Sequence, residues 1–286
     1  MLFRSIVKHK FSLKNSINKL INGDVYYPNN SYGLPLIIIL HGFKGWKDWG
    51  FAPYISETFA INECISLIFN FSMNGSPDDT GYLTEPENFA NNTISRELED
   101  VLQIIDAFPK GDIIPIDLVE KLWNGNIYLL GFSLGGGISI LTGLTCNKIN
   151  KVCLWSSISS FNWYTPRQIE QWKKDGFFEF KNTRTNQVLR MNIGYLNDYY
   201  QNEETFNILE RIKHLKSELM IVHSDDDITV PIKEANKLIE AANKDLLKYN
   251  ILKKTSHTFG VEHPFKRTTK QLEEALDYTL KFFDLK

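Results

Sequence analysis

The chain has 286 residues, with 32 Lys+Arg against 34 Asp+Glu, and it is 43% hydrophobic and 23% charged. That composition excludes a disordered or fibrous chain and supplies enough apolar material for a large core. A formal charge of −2 leaves no basic stripe for nucleic acid, and the longest apolar run, residues 36–40, falls far short of the ~20 residues that span a bilayer.

Three cysteines, Cys64, Cys146 and Cys153, form no C-x-x-C pair and are odd in number. This argues against a disulfide framework or a zinc site and for a reducing compartment, hence a cytoplasmic location. At roughly 150 residues per domain the length predicts about two domains, although α/β folds of this size often form one.

Residues 1–23 hold five cations and no acid, a composition that suits an organelle transit peptide. The competing reading is an uncleaved opening strand. Phe3, Val7, Phe11 and Leu13 fall on one face, and Arg4, Lys8, Lys10 and Lys14 on the other. Residues 19–28 read as its partner, with Gly23-Asp24 near a turn. The Ile-rich run 34–40 fits a strand buried on both faces of a parallel sheet. A Gly-rich turn follows, then a helix over 52–62, a strand over 64–71 and a helix over 93–108. Next come a strand at 126–130, a small-residue helix at 134–145 and a strand at 152–158. After a long gap the alternation resumes: strand 219–223, helix 232–242, strand 248–252 and helix 268–283. Alternating strands and helices predict an α/β fold with a mostly parallel central sheet. The gap holds a Pro-started helix at 166–174, a hairpin of 177–181 with 187–191, and two further helical pieces. It reads as a cap insertion, 160–217, within a single domain, 1–286. It starts at a strand end, where α/β proteins place their sites.

Gly131-Phe132-Ser133-Leu134-Gly135 matches G-x-S-x-G between a strand and a helix, the setting of a nucleophile elbow. A serine hydroxyl is a poor nucleophile until a base takes its proton. In such elbows the partners follow in the order Ser, acid, His. Of six histidines, only His257 and His263 follow a plausible acid downstream of Ser133. His257 leaves a predicted strand and is the preferred base; His263 is the alternative. The acid should leave the strand at 219–223, where Asp225, Asp226 and Asp227 stand in a row. Val230-Pro231 opens the next helix and places the acid at Asp227, with Asp225 or Asp226 open. Its role would be to hold the imidazole tautomer and stabilise the imidazolium. A metal reading of the three aspartates lacks the Gly and Glu spacing of a calcium loop.

The oxyanion hole of such a site uses two backbone N–H groups, which assigns Leu134, after the serine, and Phe43, in His41-Gly42-Phe43. His41 reads as a structural loop residue. Aromatics crowd these loops: Trp46, Trp49, Phe51, Tyr54, Phe71, Trp155, Phe161, Trp163 and Tyr164. Half are expected to be core, and Trp46 and Trp163 are the candidates to meet substrate.

With these residues the sequence resembles the α/β-hydrolase superfamily, and within it the dienelactone-hydrolase-like and cinnamoyl (feruloyl) esterase-like bacterial serine esterases. The resemblance rests on His41-Gly42-Phe43, Gly131 to Gly135, Asp227 before Val230-Pro231, and Ser256-His257-Thr258-Phe259. It implies an α/β-hydrolase fold and cofactor-free hydrolysis of carboxylic esters, short or aromatic in the acyl part. The expected partner is a small-molecule ester, with no metal, nucleic acid or membrane and with a homodimer left open. Two departures stand out. Dienelactone hydrolases proper carry a cysteine in the elbow, and Ser133 stands here. The family usually has Gly after the histidine that precedes the acid, and Ser224 stands here. The same triad would serve a peptidase, an acyltransferase or a thioesterase, but peptidases of this fold often carry a propeller for which the chain has no room. A non-catalytic binding protein of this fold typically lacks a triad member. An imidazole base of ordinary pKa, about 6.5, predicts activity rising between about pH 6 and 8.

Overall fold

Hydrophobic runs of five to seven residues dictate the centre of the molecule. In the computed structural model, which describes residues 5–76 and 82–285, they form an eight-stranded sheet. The chain runs β1 (Ile6–Lys14), β2 (Leu20–Pro28), β3 (Leu34–Leu40), α1 (Ala52–Ile61), β4 (Ile65–Phe69), α2 (Pro86–Ala90), α3 (Ile94–Ala107), α4 (Ile116–Leu122) and β5 (Trp123–Phe132). It continues through α5 (Leu134–Thr145), β6 (Ile149–Trp155), α6 (Pro166–Asp175), the hairpin β7 (Phe177–Lys181) and β8 (Val188–Asn192), α7 (Gly194–Gln201), α8 (Glu203–Phe206) and α9 (Ile208–Arg211). β9 (Glu218–Ser224), α10 (Ile232–Ala241), β10 (Leu247–Leu252) and α11 (Lys270–Phe282) complete it.

The strand order is β1-β2-β4-β3-β5-β6-β9-β10. The strands from β4 to β10 pair in parallel, and β1 and β2 add an antiparallel edge. The alternation along β3 explains why it is apolar throughout. Leu36, Ile38 and Leu40 enter one core with α3, α5 and α10; Ile37 and Ile39 enter a second with α1 and α11. Helices cover both faces, so the C-terminal ends of β3, β5, β9 and β10 emerge along one rim. Parallel pairing thereby turns residues far apart in sequence into neighbours. Among the described residues no helix is long and apolar enough to cross a membrane.

The opening strand forms with the expected faces: Val7, Phe11 and Leu13 turn inward while Lys8, Lys10 and Lys14 stay exposed. Phe3 and Arg4 lie outside the described residues. The turn expected near Gly23-Asp24 lies elsewhere. Gly23 is inside β2, paired with Phe11 and Phe69, and a Cβ there would enter the Phe11 ring and approach Ile68 O to 2.7 Å. This glycine serves close packing. The turn falls at Asn15 to Lys19, where Asn15 Oδ1 accepts the N–H groups of Ile17 (3.1 Å) and Lys19 (2.9 Å). Asp24 is buried and paired with Lys47 (2.8 Å) and Lys8 (3.1 Å).

Other boundaries move by a few residues. β5 is longer than the expected 126–130, and β6 starts and stops earlier than 152–158. Helices α2 and α4 were not anticipated. α4 buries only Val119 and Leu122, too few to print a period on the sequence.

Ile38 is fully buried in the middle of the sheet. Replacing it with Ala should cost about 3–4 kcal/mol of unfolding free energy in urea. A loss below about 1 kcal/mol would contradict burial on this scale.

Candidate active site

β5 delivers Phe132 to the rim, and the chain turns into α5 at Ser133. Ser133 adopts φ 56°, ψ −116°, a sparsely populated positive-φ conformation that costs a non-Gly residue about 1–3 kcal/mol. Its N–H donates to Trp155 O (2.9 Å), and its carbonyl accepts from Gly136 N (3.0 Å) and Ile158 N (3.3 Å). The turn is therefore clamped to the end of β6. The first turn of α5 passes close under β3: a Cβ at Gly135 would lie 2.6 Å from His41 O. Only a glycine allows that approach. Ser133 lines a cavity of about 720 Å³.

His257 lies beyond β10 and Asp227 beyond β9, and β9 and β10 are paired neighbours. His257 Nδ1 is 2.7 Å from Asp227 Oδ2. With the carboxylate ionised, Nδ1 carries the proton and donates, leaving the Nε2 lone pair free. Asp227 Oδ1 accepts from Thr229 N and Val230 N, both at 2.9 Å, which fixes the carboxylate plane. Burial pushes the Asp227 carboxyl up. The His257 hydrogen bond and charge, with the Val230 N–H and the nearby His223, outweigh it and hold the group below the ordinary carboxylate range.

Three further bonds position the two loops. Ser224 Oγ donates to Thr255 O, Lys254 N donates to Asp225 Oδ1 (2.8 Å), and Ser156 Oγ donates to His257 O (2.9 Å). Ser224, the departure from the usual Gly, thus ties the acid loop to the histidine loop. His257 and Ser133 line the same cavity, and the imidazole packs on Phe132 at 4.9 Å between ring centroids. Among the described residues no hydrogen bond joins Ser133 Oγ to His257; in unliganded sites such bonds are often long and tighten with substrate.

The alternatives have other duties. His263 Nδ1 accepts from Gly50 N (3.1 Å), and its ring packs on Trp46 at 4.9 Å without itself lining the cavity. Asp225 pairs with Lys253 (3.2 Å), and the Asp226 N–H donates to Ser224 Oγ (3.2 Å). The three aspartates diverge, and no group of three His, Cys, Asp or Glu among the described residues is placed to hold a metal.

The loop after β3 runs beside the serine: a Cβ at Gly42 would sit 2.9 Å from Ser133 Cβ. Gly42 O accepts from His41 Nδ1 (2.9 Å) and from Gly45 N (2.9 Å). In a trans peptide, carbonyl and following N–H point in opposite directions, so anchoring Gly42 O aims the Phe43 N–H the other way. Leu134 is the first residue of α5, where the N–H has no intrahelical acceptor. Neither N–H donates within the described protein, and both residues line the cavity. His41 is buried as a loop-holding residue, and burial pulls its pKa down to about 4 against the weaker pull of the Gly42 carbonyl. It is neutral near pH 7, with Nε2 accepting from Phe71 N at 3.4 Å.

Trp46, Trp49, Phe51, Trp155 and Trp163 line the cavity; Tyr54, Phe71, Phe161 and Tyr164 do not. Trp163 is 45% exposed and meets the Phe43 ring at 6.3 Å, while Trp46 is 1% exposed. Sequence reasoning missed Lys44, Asn182 and Arg184 in the same lining. They belong to short turns, where no periodicity marks a functional position. It also missed His223, fully buried, whose Nε2 lies 2.8 Å from Val230 O and 3.6 Å from Asp227 Oδ2.

No family model and no curated protein matches the chain. Solved structures do. A Penicillium sp. sh18 α/β hydrolase, GrgF, aligns with a TM-score of 0.72 at 15% identity over 97% of this chain and 98% of that one. A protein of Agrobacterium vitis S4 described as a candidate hydrolase gives 0.71 at 17%, over 98% and 100%. Est1E of Butyrivibrio proteoclasticus, solved with ferulic acid, gives 0.69 at 18%, over 94% and 96%. The chain therefore has the α/β-hydrolase fold.

The depressed pKa of His41 has a thermodynamic consequence. Below about pH 6.5 the unfolded chain takes up a proton that folded His41 refuses, so its stabilisation is complete above that pH and is lost as pH falls toward 4. Between pH 6.5 and 5 this removes about 2 kcal/mol. Urea unfolding should therefore show wild type losing about 2 kcal/mol more than His41→Gln between pH 7 and pH 5. Parallel losses in the two proteins would contradict it.

Proposed function

We propose that the protein is a serine hydrolase that cleaves carboxylic esters through Ser133, His257 and Asp227. The observation that carries the reading is the 2.7 Å Asp227–His257 bond opening onto the cavity that Ser133 lines. It sets the imidazole tautomer with Nε2 free, as a general base must have it. That several solved proteins of this fold are described as hydrolases or esterases supports it.

In this mechanism Ser133 Oγ attacks the ester carbonyl as its proton passes to His257 Nε2. The carbonyl π pair moves onto oxygen, and the Phe43 and Leu134 N–H groups hold that oxyanion. Loss of one such donor typically costs ~3–4 kcal/mol of transition-state stabilisation. The imidazolium, steadied by Asp227, returns the proton to the departing alkoxide as the carbon–oxygen bond breaks. Water then repeats the sequence on the acyl-enzyme and frees the acid and the serine. No step calls on a metal or cofactor. The substrate is a small ester, with the segment 160–217 acting as a cap whose Trp163 contacts the acyl or alcohol group beside Trp46. The compartment is cytoplasmic.

Chromogenic esters from acetyl to octanoyl, with feruloyl esters, provide the test. Wild type should turn over part of that panel. Ser133→Ala and His257→Ala should lower kcat by at least about 10³-fold and Asp227→Asn by about 10⁴-fold. His263→Ala should keep most of the turnover. Wild-type rates in Ser133→Ala would end this reading.

A further inference from the structure

One wall of the cavity gathers several hydrogen-bond donors, two of which have no partner among the described residues. Arg184, in the β7–β8 turn, lays its guanidinium 4.6 Å from the centre of the Trp46 ring. Among the described residues its hydrogen bond, at 3.5 Å, runs to Lys44 O. Lys44 places Nζ 5.7 Å from the Phe43 ring centre and 5.6 Å from that of Phe180. Neither cation pairs with a carboxylate among the described residues. Lys44 is half-buried and Arg184 exposed, and burial together with repulsion from Arg184 pulls the Lys44 ammonium below its ordinary range.

Two neutral donors stand with them. Asn182 is 4% exposed; its Oδ1 accepts from Arg184 N (3.2 Å), and its Nδ2 has no partner among the described residues. Trp46 is 1% exposed, and its Nε1 likewise has no partner among the described residues. All four residues line the cavity that holds Ser133 and His257. The lining contains a single carboxylate, Glu234, already bonded to Ser159 and Lys237.

Buried donors without acceptors are costly, and two like charges set close together add repulsion. A turn that only needed to fold would not collect them. The turn is also anchored: the Gln187 side-chain amide accepts from Leu83 N (3.1 Å) and donates to Leu83 O (2.9 Å). A planar fork next to an ammonium and an amide suits a carboxylate.

We propose that Lys44, Trp46, Asn182 and Arg184 form an anion subsite that selects esters bearing a second, free carboxylate. This rests on the esterase reading for its catalytic centre, while the subsite itself is a binding claim. These residues act on the substrate at a distance from the scissile bond. Lys44 follows Phe43, so a bound carboxylate lies on the oxyanion-loop side of the serine. The ester is therefore dicarboxylic in its acyl part or carries an acid on its alcohol.

Two matched pairs separate those cases. For the acyl side they are 4-nitrophenyl hydrogen glutarate and its 4-carbamoylbutanoate counterpart. For the alcohol side they are the butanoyl esters of 4-hydroxybenzoate and 4-hydroxybenzamide. Each pair exchanges a carboxylate for an isosteric neutral amide. In wild type at low salt, one pair should show at least a tenfold higher kcat/KM for the anion, with the ratio falling as NaCl is added. Arg184→Gln should bring that ratio below threefold, and Lys44→Gln should lower it in the same direction. Ratios near one for both pairs in wild type, or a ratio that survives Arg184→Gln, would overturn the subsite. If no ester is hydrolysed, the esterase reading fails and calorimetry decides the subsite. Glutarate should then bind at least tenfold more tightly than glutaramide, with the difference lost in Arg184→Gln; equal binding would overturn it.

Discussion

The backbone of one residue governs the arrangement. Ser133 is held at φ 56°, ψ −116° at the end of the central strand, a conformation the chain would leave if its surroundings allowed. They do not. The main chain of Ser133 is bonded on both sides to the end of β6 and the start of α5. The approach of Gly135 to β3 leaves no space for a relaxed turn. The strain lifts the hydroxyl onto the cavity wall, and it starts α5 so that the Leu134 N–H is left without an acceptor. The proposed nucleophile and one proposed oxyanion donor come from one local distortion.

The remaining groups reach the same rim because the sheet is parallel. β3, β5, β9 and β10 end on one side, and each end continues into a loop that carries part of the site. Loops alone would be too mobile to hold a proton-transfer geometry. Here they are stitched together. Ser156 holds the His257 carbonyl, Ser224 holds the Thr255 carbonyl, and Asp225 receives the Lys254 N–H. His41 does the same for the β3 loop by anchoring the Gly42 carbonyl. Small polar side chains at strand ends therefore fix the loops of the candidate site, while the apolar strands supply the rigid frame.

Much of this was legible in the residues. The apolar strands and the long amphipathic helices announce themselves by period, because two-sided or one-sided burial demands it. The elbow is legible because strand, glycines and serine occur in one run. Asp227 and His257 could be reached by chain order, and the structure joins them. What escaped the sequence was local and tertiary. Gly23 looks like a turn residue, yet its role is to admit the Phe11 ring, which no neighbouring residue reveals. α4 buries too little to show a period. Ser224 stands where the family usually has Gly, and its hydroxyl is a tether. Arg184 and Asn182 lie in a hairpin turn some 50 residues beyond the serine, and only folding sets them against Trp46 and Lys44.

The central claim is that Ser133, and no other hydroxyl, is made nucleophilic by the folded arrangement around it. The direct measurement is intact-protein mass spectrometry with peptide mapping after exposure to a fluorophosphonate. The account predicts a single adduct on Ser133 in the native protein, absent after urea unfolding and absent in His257→Ala. A native protein that stays unlabelled, or an adduct mapped to another residue, would contradict it.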